Sequence, residues 1–271
     1  MIGDLHMHSN TSDGSLDVED LIFISKKTGL DYVAITDHNI FNSKFELFKL
    51  EKKYEIKIIF AAEFSCFDYA RNRKVHVLCY NPVNEEILLP ICEKSTKIRI
   101  EVGLKKAEYV KNNFFISQKL IEKYRSKSGC IYQQNLAHAL LECGYTDSIY
   151  GDLYESLSSK NLKIEVEPDF DVRKVLGVIK KSGGKSVIAH PGVYDSFELI
   201  NELVAENLID GLEVWHPKNS ELEVNKLLNL VQSYDLIATG GTDFHGFYSS
   251  RYFSRIGNFV TPDVYLKKLI S

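Results

Sequence analysis

The chain has 271 residues, 44% hydrophobic and 26% charged, an ordinary globular composition with ample material for a core. Its 33 basic against 37 acidic side chains leave a formal charge of −4, so no general attraction to nucleic acid or anionic membranes is expected. No apolar run approaches the roughly 18 to 20 residues of a membrane span.

Along the first eighty residues strand-like and helix-like patterns alternate. Residues 2–8 read as a strand and 17–29 as a helix, with Asp17 as its N-cap and Gly29 placed to end it. A second strand (31–39) and an amphipathic helix (43–54) follow, then strands at 56–65 and 74–81. This alternation predicts parallel strands joined by crossover helices.

From about Asn84 to Pro168 strand signals stop, and helices are predicted over 93–114, 117–126, 132–144 and 150–161. The reading is a barrel over 1–83 and 169–271, interrupted by a helical insertion over 84–168. The rhythm resumes with helices at 171–184, 197–208 and 220–234, the last opened by a Ser220/Glu223 capping box. Strands are predicted at 185–192, 210–217 and 235–246. Seven strand candidates fit an incomplete α/β barrel.

In parallel α/β folds chemistry collects at the C-terminal ends of strands. Here those ends carry His6 and His8, Asp37 and His38, Glu63, His76, His190, His216, and Asp243 with His245. Side chains at i and i+2 share a strand face, so His6 and His8 point together, as do Asp243 and His245. Of eight histidines only His138 falls in the helical stretch. Such a concentration of nitrogen and oxygen donors is costly to bury unless divalent ions compensate it, and imidazole with carboxylate suits zinc, manganese or iron. Asp37 faces away from His38 and reads as a supporting carboxylate; Asp4 reads as an orienting group for the first loop.

Five cysteines, odd in number and without a close pair, read as reduced thiols of a cytoplasmic protein and not as a zinc site. No basic stretch precedes an apolar one at the N-terminus, so no signal peptide is expected.

The segments GDLHMHSNTSDGS, AITDHN, AAEFS, HVLCY, IAHPG and GGTDFHG, in that order, resemble the signature segments of the PHP (polymerase and histidinol phosphatase) superfamily. The subgroup most similar is that of stand-alone phosphoesterases such as the bacterial nucleoside 3′,5′-bisphosphate and AMP phosphatases and the related 5′–3′ exoribonuclease. The resemblance implies a distorted (β/α)7 barrel with a small helical insertion, and two or three divalent ions (Mn, Zn or Fe). It implies His6, His8, Glu63 and Asp243 around a first ion, and Glu63 bridging to a second held by His76 and His190. Asp13, His38 and His245 would hold a third. One departure is Val193 after His-Pro-Gly, where close relatives often carry an arginine.

Three divalent ions and the three carboxylates of Glu63, Asp13 and Asp243 would leave +3, a match for a phosphate dianion plus hydroxide. The expectation is a metal-dependent phosphatase or phosphodiesterase acting through a metal-bridging hydroxide. Its substrate would be a small phosphorylated metabolite, AMP or a nucleoside 3′,5′-bisphosphate. Alternatives are 5′–3′ trimming of short RNA, a histidinol-phosphate-type phosphatase, or a metal-binding interaction module; amidohydrolase chemistry lacks a candidate bridging lysine. His216 is the candidate acid for the leaving alkoxide. Lys97, Arg99, Arg251 and Arg255 are candidate contacts for substrate phosphate. No membrane association and no obligatory protein partner are inferred.

Overall fold

The computed structural model describes residues 1–249 and 254–271. Its strands form one sheet in the order β8-β7-β6-β4-β3-β2-β1-β9. These are β1 (Ile2–Asp4), β2 (Tyr32–Ile35), β3 (Lys57–Asp68), β4 (Arg73–Tyr80), β5 (Phe170–Asp171), β6 (Lys185–Ile188), β7 (Gly211–Trp215), β8 (Ile237–Gly240) and β9 (Thr261–Pro262). Five of the seven longer strands lie within the sequence candidates, while β3 runs three residues past its candidate and β4 begins one residue before its own; the two-residue β5 and β9 carry no sequence pattern of their own.

The sheet curls into a nearly closed barrel. Past the last ladder of β1, Leu5 N–H donates to Gly240 O at 3.2 Å and His8 N–H to Phe244 O at 2.9 Å, while Met7 and Phe244 form a parallel bridge. These bonds draw the far edges of the sheet together at β1 and β8. The barrel is a distorted (β/α)7 one, and β4 is the distortion. It pairs antiparallel with both β3 and β6, against the expectation of a wholly parallel series. The physical reason is connection length: only residues 69–72 join β3 to β4, enough for a hairpin and far too few for a crossover.

Helices cover the outside. These are α1 (Val18–Lys27), α2 (Lys44–Tyr54), α7 (Val172–Lys181), α8 (Phe197–Ala205) and α9 (Glu221–Ser233). Gly29, at φ +84°, follows the C-cap of α1 as expected. Asp17 stands at the N-cap of α1 but does not cap it; its carboxylate instead accepts from Asn10 Nδ2 at 2.8 Å and pairs with Lys127. The capping box at Ser220 and Glu223 forms.

Two apolar layers result from strand alternation. Outward residues such as Phe64, Val77, Ile188 and Leu212 pack with Val175, Leu199 and Leu227 of the covering helices. Inward residues Leu5, Ile59, Ala61, Leu78 and Val187 fill the barrel and meet Leu266 and Leu269 of α10 (Asp263–Ile270). That last helix, absent from the sequence-based element series, stops the lower end. Apolar side chains therefore fill one end of the barrel, and the inward rows turn ionisable toward the other: Ile59, Ala61, Glu63 on β3 and Tyr80, Leu78, His76 on β4.

Between β4 and β5 the chain is helical, with α3 (Leu89–Asn113), α4 (Gln118–Tyr124), α5 (Gln133–Glu142) and α6 (Asp152–Ser156). Val110, Ile121, Leu136 and Leu157 make a small core of their own, while Ile91 and Cys92 of α3 join the barrel's outer layer. All five cysteines are free, and only Cys143 is exposed.

Closure is tightest at Gly241, where an added Cβ would lie 2.3 Å from His6 Cβ and 2.6 Å from His6 N. Replacement of Gly241 by Ala is expected to cost about 1–3 kcal/mol through overpacking. A urea-unfolding midpoint that falls accordingly would verify the tight seam between β1 and β8.

Candidate metal centre

At the open mouth, Glu63 is the hub. It is 1% exposed, and its Oε1 lies 2.9 Å from His76 Nδ1 and 3.0 Å from His190 Nε2. Its Oε2 lies 3.2 Å from His8 Nε2, 3.2 Å from His38 Nδ1 and 3.4 Å from His6 Nε2. Five imidazoles from four strands or strand ends thus share one buried carboxylate.

His6 and His8 do point together, with Nε2 atoms 3.2 Å apart. Asp243 Oδ1 lies 3.5 Å from His6 Nε2 and 3.3 Å from His8 Nε2. His245 also reaches the cluster, its Nε2 3.3 Å from Asp13 Oδ2, and His38 Nε2 lies 3.7 Å from the same oxygen. The alternation argument for Asp243 and His245 does not hold, because β8 ends at Gly240. Asp243 instead adopts a left-handed φ of +49°, and His190 one of +28°. Such backbone is unfavourable for residues with a Cβ and occurs where surrounding structure enforces it. His76 enters the mouth from the N-terminal half of β4, since that strand runs antiparallel.

The electrostatics follow from burial opposed by charge. Burial alone would raise the carboxyl groups of Glu63, Asp13 and Asp243, but the surrounding imidazoles hold all three well below the usual range. Burial alone would lower His6 and His8; the charges of Glu213, Glu63 and Asp243 raise His6 well above its ordinary value, and hydrogen bonds to Asp243 and Glu63 bring His8 to about 10. For His38, His76 and His216 burial wins and the pKa is lowered. The ionised carboxylates and the lowered His38 and His76 match the protonation states a cation needs from its ligands, whereas His6 and His8 would give up a proton on binding one.

The donor set fits divalent ions on a second count. Four buried ring nitrogens, His8 Nδ1, His38 Nδ1, His190 Nδ1 and His216 Nε2, make no well-formed hydrogen bond, although a carboxylate oxygen lies 3.4, 3.2 and 3.4 Å from those of His8, His38 and His216. Among the described residues, four overlapping groups keep their donor atoms within 4.8 Å of one another: His8, Asp13, His38 and His245; His6, Glu63 and His190; His38, Glu63 and His76; and His6, His216 and Asp243. The nine residues expected to ligate all lie in this cluster.

Supporting residues fix the cluster. Glu213, which the sequence reading passed over, is fully buried; its Oε1 accepts from His6 Nδ1 at 2.9 Å and its Oε2 from the backbone N–H of His190 at 2.7 Å. This leaves His6 Nε2 free to face the cluster. Inward alternation on β7 was the available signal. Asp37 holds the first loop, accepting from Ser9 N–H at 2.9 Å, Ser9 Oγ at 2.6 Å and Asn42 Nδ2 at 2.7 Å. Asp4 ties β1 to the segment after β8, accepting from Thr242 N–H at 3.0 Å and Gly257 N–H at 3.0 Å, and burial raises its pKa to about 6. Gln134 of α5 donates to Asp13 Oδ2 at 3.2 Å, a link between helical stretch and cluster that no local pattern announces.

The substrate-contact expectations divide. Arg99 lines a cavity opening on the cluster. Lys97 does not: two positions along an α-helix turn about 200°, which puts it on the opposite side of α3 beside Asn39 and Phe41. Arg255 is exposed and lines neither cavity at the mouth. Arg251 lies outside the described residues. Lys74, Lys106 and Lys218, with Tyr150, Tyr154 and Tyr194, line the cavities instead. Val193 lines the mouth.

Residues 4–172 match the family model of the PHP domain. The chain belongs to the PHP family. It is 30% identical over 250 residues to a phosphoribosyl 1,2-cyclic phosphate 1,2-diphosphodiesterase of Eggerthella lenta, across 91% of this chain and 95% of the relative. It is 27% identical over 255 residues to the 5′-3′ exoribonuclease Rnm of Escherichia coli, across 90% of this chain and 85% of that protein. A solved structure from Bifidobacterium adolescentis, assigned to the metal-dependent phosphoesterases, superposes with a TM-score of 0.87 at 24% identity, covering 99% of this chain and 95% of the other, a likeness of fold. As a member of the PHP family the chain is a metal-dependent phosphoesterase. No helix among the described residues is long and apolar enough to cross a membrane.

If Glu213 orients His6, Glu213→Gln should weaken metal retention about 10- to 100-fold with the fold intact. Competition with a chelator, read by metal analysis of the dialysed protein, is the measurement; unchanged retention would remove Glu213 from the ligand framework.

Proposed function

We propose that this PHP phosphoesterase hydrolyses a phosphate ester of a small nucleotide-like metabolite, AMP or a nucleoside 3′,5′-bisphosphate. The observation that carries the reading is the hub at Glu63, one buried carboxylate whose two oxygens face two different sets of imidazoles. That is the arrangement of a bridging ligand between closely spaced cations. The ligand assignment is His6, His8, Glu63 and Asp243 for one ion, Glu63, His76 and His190 for a second, and Asp13, His38 and His245 for a third. Manganese, zinc or iron suits such nitrogen and oxygen donors. When bound, these ions supply Lewis acidity at the phosphoryl oxygens and an acidified water as nucleophile.

The chain's own residues do the remainder. Glu213 keeps the His6 ring in register, Asp37 and Gln134 hold the loop bearing Asp13, and the seam at Gly241 presses β8's extension against β1. The His216 ring is buried, and burial lowers its pKa, which disfavours the protonated ring that a leaving alkoxide would need. Its Nδ1 accepts from Lys218 N–H at 3.2 Å, which leaves the ring proton on Nε2, 3.4 Å from Asp243 Oδ2. We therefore assign His216 to holding Asp243 in place of the acid role. Tyr150, Tyr154 and Tyr194 along the cavity offer faces and hydroxyls to a nucleoside. The mouth cavity, about 410 Å³, has the size of a small-metabolite site.

A second reading, 5′–3′ trimming of short RNA, draws on the likeness to the Escherichia coli exoribonuclease. Against it stands the formal charge of −4, since an extended RNA track is usually basic.

Two measurements test the proposal. With added manganese the protein should release inorganic phosphate from AMP or adenosine 3′,5′-bisphosphate faster than it shortens a 5′-phosphorylated oligoribonucleotide, and chelator should abolish the activity. The reverse preference would install the exoribonuclease reading. Asp243→Asn should lower kcat/KM for the preferred substrate by at least about 100-fold; a loss under twofold would exclude Asp243 from the ligand set.

A further inference from the structure

On its outward side α3 has two apolar features that the other described residues leave uncovered. One is a groove of about 580 Å³ between α3 and the loop that follows β2, walled by Ile40, Phe41, Leu89, Cys92, Thr96 and Ile100. The other is Phe115, just past the end of α3 and 98% exposed. Its neighbours explain why it projects. Phe114 is extended, Phe114 and Ile116 pack against the small helical core, and the Phe115 N–H donates to the Tyr145 hydroxyl at 2.8 Å. With both flanking side chains turned inward on a pinned backbone, the ring between them points out. Phe115 cannot fill the groove of its own chain. At about 1.5 Å of rise per residue it stands roughly 20 Å along α3 from Ile100.

Charge divides along the same line. The exposed residues Lys97, Glu101, Leu104, Glu108 and Lys111 follow one another at spacings of four and three, the period of a helix–helix seam. The groove end carries Glu93, Lys97 and Glu101, with Lys94 taken up by Glu167; the Phe115 end carries Lys105, Glu108 and Lys111. One end is thus net acidic and the other net basic, and none of these six charges is ion-paired among the described residues. Opposite ends of one helix complement each other when two copies lie antiparallel about a two-fold axis. With Phe115 of one copy against Lys97 at the groove of the other, Lys111 faces Glu101 and Leu104 faces Glu108, and the axis repeats each contact. We propose that a second copy of this chain docks on α3 in this antiparallel register, each Phe115 ring seated in the other copy's groove. The proposal gives Lys97, which the turn of α3 carries away from the mouth, a place in an interface. It is independent of which ester the Glu63 cluster hydrolyses.

Sedimentation velocity of the full chain from about 1 to 100 µM is the test, with circular dichroism to check the fold of each variant. The wild type should dimerise within that range. Phe115→Ser removes an exposed ring from the monomer's surface, so the fold should persist while association weakens at least about tenfold. Glu101→Lys and Lys111→Glu each set like charges opposite one another and should each weaken association severalfold. The double variant reverses both members of each pair and should return to within about threefold of the wild type. A wild type that stays monomeric at the highest concentration would overturn the proposal, whatever else occupies the groove. So would a dimer indifferent to Phe115→Ser, or a double variant that associates no more tightly than the single ones.

Discussion

The structure is organised around the cost of burying ionisable groups together. Glu63, Asp13 and Asp243 sit among seven imidazoles, all buried or half-buried at the floor of the mouth. No protein interior accepts that unless the groups compensate one another or share cations. Every neighbouring element bends to this requirement. Two members of the cluster stand on left-handed backbone, a glycine without room for a methyl lets β8's extension close on β1, and a buried carboxylate on β7 is committed to orienting one ring.

The barrel makes the requirement affordable by separating its two ends. Strand alternation sends apolar residues inward at the lower end, where α10 seals them, so cohesion there does not depend on the mouth. The antiparallel β4 matters for the same reason: by reversing direction it still presents His76 at the mouth while placing Leu78 and Tyr80 below. The helical stretch between β4 and β5 then roofs part of the mouth. It reaches the cluster through Gln134 and faces the adjoining cavity with Arg99 and Lys106.

Much of the chemistry was legible in the chain before any fold was known. Eight of the nine ligand candidates lie within short strand-like runs and Asp13 in the turn after the first, and histidines so placed do not need a neighbour to be noticed. The order of motifs resembling the PHP superfamily made their joint meaning plain, and family membership agrees. Elements of strong local pattern also emerged near their true limits: α1 with Gly29 after it, and α9 with its Ser220/Glu223 box. Less legible were groups whose role comes from a distant partner. Glu213 looked like an ordinary strand residue, Asp17 like a helix cap, and Lys106 like any solvated lysine of a long helix.

What the amino-acid order determined by itself was the inventory of donors, the alternation of strand and helix, and the helical character of residues 84–168, because those depend on side-chain chemistry and on periods of two and 3.6 residues. Tertiary structure alone decided the direction of β4, the convergence of Asp243 with His6 across the barrel seam, and which cations line the mouth. Lys97 and Arg99 show why. They are near neighbours in the chain and equal in charge, yet the turn of α3 sends one away from the cleft and the other into it.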